Sequence, residues 1–296
     1  MCKSFRVFYI ATVFIVISLL GCSSPEEEEY YASIQNWHKL RIDSLKGETG
    51  FLNLAGLYWL QEGENTFGTD TANHIEFPSI GTPLMGSFLL QDSLVYLVPS
   101  APIKIKGKVV NDTTLIFSHK EAPVMTFNSL RWFVIKRGEH IGIRLRDFDH
   151  PLLQSFDSID YYETDPAWRV EAQWLVYKDT KLIPFSNIVG MTIEYPVFGS
   201  FNFTIDGKEY KLEPLGKLSS DGYFVMFYDK TSGHSTYGSG RYIYIPEPDS
   251  LGHSYIDFNK AFNPPCAFTA FATCLFPHKE NRLPIFIEAG EKFSGH

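Results

Sequence analysis

The stretch Ser200–Leu215, "SFNFTIDGKEYKLEPL", decides the fold class. Phe201, Phe203 and Ile205 alternate with polar residues. Tyr210 and Leu212 resume the alternation after Asp206-Gly207. A period of two is the mark of a strand with one buried face. Asp-Gly is a favoured two-residue hairpin turn because it accepts positive φ. The segment is therefore predicted to be a β-hairpin, and the same rhythm recurs on either side of it.

On the C-terminal side, "GYFVMFYD" and "GRYIYIP" are two further apolar runs. The loop between them, "KTSGHSTYGSG", is rich in glycine and hydroxyls. On the N-terminal side, "WRVEAQWLVY" alternates. Further back, "RWFVIKRGEHIGIRLRD" reads as a hairpin turning near Gly138-Glu139. In its second arm Ile141, Ile143 and Leu145 share one face, with Gly142, Arg144 and Arg146 on the other. "IKIKGKVVNDTTLIFS" reads as two strands joined at Asn111-Asp112. Short strands with frequent turns imply a sandwich or barrel. One helix precedes them. In "YYASIQNWHKLRIDSLKG", Ile34, Trp37, Arg41 and Leu45 fall at helical spacing, and Gly47 stands where a C-terminal cap belongs. This helix is expected to pack across a sheet edge.

The polar, acidic stretch from Pro151 to Pro166 is assigned as a linker. The expected organisation is a helix and β-sandwich over 33–150, a linker over 151–166, and a β-rich sandwich or barrel over 167–296.

The N-terminus carries targeting information. Lys3 and Arg6 precede an apolar run from Val7 to Leu20, too short for a membrane span of about 20 residues. The run ends in Leu19-Leu20-Gly21-Cys22, which resembles a bacterial lipobox. That resemblance implies a signal peptide over 1–21, acylation of Cys22 by palmitate-type chains, and anchoring to the membrane as an outer-membrane lipoprotein. Residues 22–32, "CSSPEEEEYYA", are expected to form an acidic tether. The glutamate run is also similar to the export signal of surface lipoproteins, which implies display at the cell surface; a plain linker is the other reading.

Removing 21 of 296 residues leaves 275. Losing Lys3 and Arg6 takes the formal charge from −8 to −10. An acidic chain with no basic cluster argues against nucleic acid as a partner. Aromatic residues at 16% and apolar residues at 44% supply a large core.

No nucleophile elbow, Walker loop, zinc-protease helix or dinucleotide fingerprint is present. Three places concentrate polar groups. In "RLRDFDHP", Arg144 and Arg146 could clamp an anion; the plainer and favoured reading is a solvated strand end with local Arg–Asp pairs. In the second, Arg241 heads the face shared by Ile243 and Ile245. A buried arginine there needs a carboxylate, with Asp229 and Asp257 as candidates. Either the pair is structural, or Tyr237 and Arg241 face a ligand cavity. The third is "NPPCAFTAFATC". Cys266 and Cys274 are the only cysteines left once Cys2 and Cys22 are set aside. A disulfide between them requires the intervening residues to fold back, because eight residues of strand would span about 26 Å. Two buried thiols, a metal held by Cys266, Cys274 and His278, or a reactive nucleophile are the other readings.

"GFLNLAGLYWLQEGENTFGTD", "TYGSGRYIYIP", "IDFNKAFNPPCAFTAFATC" and "NRLPIFIEAGEK" resemble the domain-of-unknown-function family numbered 1684, over Trp37 to Lys292. The resemblance implies no activity and no cofactor. It marks Arg241, Asp257, Asn259, Asn263, Cys266, Cys274, Asn281 and Arg282 as positions fitting the family pattern. The spacing of Leu60, Gly63, Asn65, Phe67, Gly68 and Asp70, followed by "VVNDTTL", is similar to a forkhead-associated sandwich. The Gly-Arg and Ser-x-x-His elements of phosphothreonine recognition are missing. The expected function is a binding or structural module for a small polar or carbohydrate-like ligand, taken by Tyr237, Arg241, Asn259, Asn263, Asn281 and Arg282. The alternative is a hydrolase with Asp229 or Asp257 as base and Arg241 as electrostatic stabiliser.

Overall fold

The computed structural model describes residues 24–118 and 122–293, so the expected signal peptide and Cys22 lie outside the described residues. The first element is helix α1, Pro25–Lys46. Ser24 caps it by accepting from Glu27 N, Pro25 occupies the first turn, and Gly47 ends it. Glu26, Glu27 and Glu28 are therefore the first turn of a helix, where they complement its positive end, and not a solvated tether. Sequence reading missed this because four like charges look like disorder until the Ser-Pro cap before them is weighed.

The helix docks on the rim of a sheet, at Asp257 of an edge strand. Its contacts reach the far end of the chain. Tyr30 Oη donates to Asp257 Oδ1 at 2.9 Å, and Arg41 Nε donates to Glu291 Oε1 at 2.8 Å. The Arg41 guanidinium lies 4.7 Å from the Phe262 ring, so its stem does run along an apolar surface.

Eleven strands follow up to Asp147: β1 Leu54–Trp59, β2 Gly63–Gly68, β3 Ile75–Glu76, β4 Gly86–Gln91, β5 Leu94–Pro99, β6 Lys104–Ile105, β7 Lys108–Val109, β8 Thr114–Phe117, β9 Met125–Phe127, β10 Leu130–Arg137 and β11 His140–Asp147. They make two sheets, β1-β11-β10-β9-β6-β7 and β3-β2-β4-β5-β8. Phe67, Phe88, Trp132, Ile143 and Leu145 are fully buried in their common core. The β10–β11 hairpin turns at Gly138 as expected, pairing Arg137 with His140. The expected hairpin at Asn111-Asp112 is not one. The turn falls at Lys106-Gly107, both at positive φ, and β8 leaves to pair with β5 in the other sheet. Lys-Gly carries the left-handed backbone as well as Asn-Asp would, and the chain uses 110–113 to switch sheets.

After the short helix α2, Pro151–Ser155, six strands complete the molecule: β12 Arg169–Ser186, β13 Thr192–Ile205, β14 Lys208–Leu212, β15 Tyr223–Phe227, β16 Arg241–Ile245 and β17 His253–Asp257. The order β14-β13-β12-β17 forms one sheet, and β15-β16 a ribbon beside it. The β13–β14 hairpin turns through Asp206 and Gly207, with φ 50° and 72°. Phe201, Phe203, Ile243, Ile245, Ile256 and Phe258 meet in its core. The stretch assigned as linker is pinned to the C-terminal segment, where Tyr162 N donates to Gly290 O and Tyr161 bridges Glu291.

Candidate functional site

Arg241 stands at the start of β16, where alternation turns it into the core with Ile243 and Ile245. It is fully buried. Its guanidinium donates to the carbonyls of Ala289 and Ile287, to Thr231 Oγ1, and to Asp229 Oδ1 at 3.3 Å. Burial lowers its pKa, and Asp229 opposes that shift. Asp229 is equally enclosed. Its Oδ2 accepts from Thr231 N, Thr231 Oγ1 and Ile287 N. The pair is a sealed clasp holding the C-terminal segment against the β15–β16 ribbon. It cannot touch a ligand, so neither the base role of Asp229 nor the stabiliser role of Arg241 fits this geometry.

The other expected site residues scatter among structural tasks. Asp257 receives Tyr30 from α1, and Asn259 donates to Tyr30 Oη and to Asp165 O, both at 2.8 Å. Asp257 is thus a docking point for the helix. Asn263 N donates to Glu291 Oε2, and its amide donates to Lys292 O. Asn281 bridges Glu213 and Met226 through three bonds of 2.8 Å and is 1% exposed. Arg282 is exposed, its guanidinium carbon 4.7 Å from the Tyr228 ring. Tyr237 donates to Cys266 O at 3.1 Å. These side chains do not converge on one cavity.

The cysteine segment does fold back. Pro264 and Pro265 lead into a tight turn over Pro265–Ala267, and Cys266 N lies 3.0 Å from Cys274 Sγ. Both thiols are free. His278 is not with them. Its ring packs edge-on against Phe185, and its Nε2 lies 3.5 Å from Glu213 Oε2. Burial lowers the His278 pKa, against the pull of Glu213. Among the described residues no group of three His, Cys, Asp or Glu could hold a metal ion, and the trio Cys266, Cys274 and His278 is not assembled.

What the fold does assemble is a crevice of about 250 Å³ at the seam between the two halves. Phe51, Arg137 and Arg144 form one wall; Phe224, Met226, Tyr242 and the segment Ala272–Leu275 form the other. Among the described residues no carboxylate lines it. Arg144 sits in mid-β11, paired across to Leu57 and Phe133. It is 8% exposed, yet its Nε has no partner and its Nη2 makes only a long 3.4 Å contact with Phe271 O. Burial, then repulsion from Arg137 and Arg146, pushes its pKa down to about 10. A buried guanidinium without a carboxylate is costly. The strand end is therefore not solvated, and its arginines do not pair with local aspartates: Arg146 turns to Gly50 O and Asn53 Oδ1, and Asp147 accepts from Ser129 Oγ and Asp149 N.

Sequence reading named Arg144 and set it aside. The alternating pattern showed which face it occupies, but nothing local showed that residues 271–275 cover that face. Glu213 was missed outright. It is 1% exposed and takes Tyr177, Lys181 and Lys211 as partners. Burial opposes its ionisation, and those partners outweigh burial to hold its pKa low.

The second half of the chain is where comparison with known proteins succeeds. Residues 154–292 match the model of a family described as "Protein of unknown function (DUF1684)". Over that range the chain is similar to the DUF1684 family. The match begins at 154 and not at Trp37, so the motif Gly50–Asp70 lies outside it. The DUF1684 region contains the Arg241–Asp229 clasp, both cysteines and one wall of the crevice. Phe51, Arg137 and Arg144 come from the sandwich before it. An uncharacterized protein of Haloarcula marismortui, solved by solution NMR, is 32% identical over 47% of this chain and 78% of its own, with a TM-score of 0.39. No curated protein matches the chain.

Proposed function

We propose that this protein is a binding module for a small polar ligand that carries a carboxylate, taken in the crevice between the halves. The observation that carries the reading is Arg144: a guanidinium buried from water, with an unpartnered Nε, in a crevice that has two arginines and, among the described residues, no acid. A carboxylate matches the planar Nε–Nη edge bidentately. Arg137 is exposed, so one buried cation sets the charge to be met, which favours a monoanion over a phosphate dianion. The apolar walls, Phe224 and Met226 among them, suit a short hydrocarbon portion.

The test is a thermal-shift panel of small carboxylates, saccharides and inorganic phosphate. A carboxylate should raise the melting temperature. Arg144→Leu should weaken its binding about 10- to 100-fold, the value of one desolvated charge-assisted contact. The same substitution should leave the unliganded protein as stable or more so, since it removes an unpaired buried charge. A panel in which no carboxylate acts, or in which Arg144→Leu binds as well as the parent, defeats the reading.

A second reading rests on the outer face of the β12–β13–β17 sheet. There Arg169, Glu171, Gln173, Asn202, His253 and Tyr255 line an open concavity of about 970 Å³, with the Arg169 guanidinium 4.0 Å from the Tyr255 ring. Hydroxyl-rich, carbohydrate-like ligands suit such a surface. A saccharide shift lost in Tyr255→Ala would favour it over the crevice.

The lipobox-like sequence supports anchoring at Cys22 to the outer membrane, whichever face carries the protein. Helix α1 begins at Pro25, so an acylated Cys22 would place the rigid helix directly against the lipid surface. Cys22→Ser should abolish palmitate labelling and release the protein from the membrane fraction; unchanged labelling would overturn the anchor. The six-stranded antiparallel sheet and the five-stranded mixed sheet of the first half, in which only β2 and β3 pair in parallel among the described residues, support its forkhead-associated-like reading, which superposition of an experimental structure would check.

A further inference from the structure

The segment that decided least from sequence carries a second chemistry. Cys266 and Cys274 lie at the two ends of a loop whose middle supplies Phe271 O to Arg144. The loop is shaped from outside. Pro264 and Pro265 fix its entry, Tyr237 Oη holds the Cys266 carbonyl, and Tyr242 Oη holds the Leu275 carbonyl just past its exit. Thr269 Oγ1 receives Phe271 N and tightens the bend. The effect is to lay Cys274 Sγ within 3.0 Å of Cys266 N, one residue's backbone from the Cys266 thiol.

The two thiols are not equivalent. Cys266 is partly buried and Cys274 is buried. The Cys274 thiol hydrogen-bonds the Cys266 sulfur and, against burial, holds the Cys266 pKa below the usual range. The same bond, with burial, pushes the Cys274 pKa up. One thiol is presented for attack and the other is held behind it.

We propose that Cys266 and Cys274 form a dithiol–disulfide redox site, with Cys266 the attacking and Cys274 the resolving sulfur, that exchanges with small or protein disulfides. Cys266 thiolate attacks one sulfur of R–S–S–R. The S–S bond breaks, and R–S⁻ leaves and takes up the proton that Cys266 released. Cys274 then gives up its proton and attacks Cys266 Sγ, expelling the second R–S⁻. The protein dithiol is oxidised to one disulfide, and one external disulfide is reduced to two thiols. Thiolate attack through a mixed disulfide is the general route for such exchange. The closed form ties the loop that lines the crevice at its base. The site does not depend on what the crevice binds.

The test uses the full chain in detergent carrying Cys2→Ser and Cys22→Ser, so that the two thiols in question are the only ones. The protein is equilibrated with glutathione at graded ratios of disulfide to thiol, acid-quenched and peptide-mapped by mass spectrometry. The expected result is an oxidised fraction that rises with the ratio, with a 266–274 link and the loss of two hydrogens. Adding Cys274→Ser should trap a glutathione adduct on Cys266, and Cys266→Ser should give no adduct on Cys274. Two thiols that stay free at every ratio overturn the proposal. So do adducts on both cysteines without a link. The titration of the parent chain decides the matter without either variant.

Discussion

Asp229→Ala is expected to lower the unfolding free energy by about 3–5 kcal/mol, the usual cost of stranding one member of a buried ion pair. The melting temperature should fall by on the order of 10 °C. The size follows from what the carboxylate serves. It is the counter-charge of Arg241, which has no exposure to water, and the acceptor for Thr231 N, Thr231 Oγ1 and Ile287 N. Alanine leaves all of these without it. Arg241→Met should cost less, because Asp229 keeps its Thr231 and Ile287 donors. The double variant should recover part of the loss, since it buries no unpaired charge. Urea midpoints for the three variants check this. A loss below about 1 kcal/mol for Asp229→Ala would mean that water reaches the pair, and would reopen the site role that its burial excludes.

Asn281→Ala comes next, with an expected loss of about 3 kcal/mol. One amide side chain satisfies three buried backbone groups: Glu213 N, Glu213 O and Met226 O. An unmet buried polar group costs about 1–3 kcal/mol, and relaxation returns part of it. Asn281→Asp should be worse than alanine, because a carboxylate would face two carbonyls it cannot donate to. Amide hydrogen exchange at Glu213 gives an independent reading and should accelerate in step. If Asn281 bound a ligand and held nothing together, alanine would leave stability and exchange unchanged.

Both predictions concern residues that sequence reading offered as ligand contacts or catalytic groups. The reason is general to this fold. Asparagine, arginine and aspartate clustered near glycine-rich loops look the same whether they face a ligand or satisfy irregular backbone. The chain from Phe258 onward has no long strand, so its carbonyls and amides have no ladder to pair with. Arg241 takes the carbonyls of Ile287 and Ala289, Asn263 takes that of Lys292, and Asn281 those of Glu213 and Met226. These polar residues are the hydrogen-bonding frame of a coil wrapped onto a sheet.

Period-two patterning sufficed for the mainly β class, for the hairpins at Gly138 and Asp206-Gly207, and for the inward face of β11. These depend on neighbours two residues apart, and such information is local. The spacing of Ile34, Trp37, Arg41 and Leu45 sufficed for the helix. The pairing of β8 with β5, the docking of α1 on the C-terminal segment, and the covering of Arg144 by residues 271–275 depend on segments as many as 250 positions apart. No local pattern encodes them. The sequence alone determined that only a folded-back loop could join Cys266 and Cys274. The tertiary structure decided that the loop does fold back, because Tyr237 and Tyr242 hold carbonyls at its two ends. It also decided that Arg144 is buried with its Nε unpartnered, because a second β-rich half closes over a strand face that the first half leaves open.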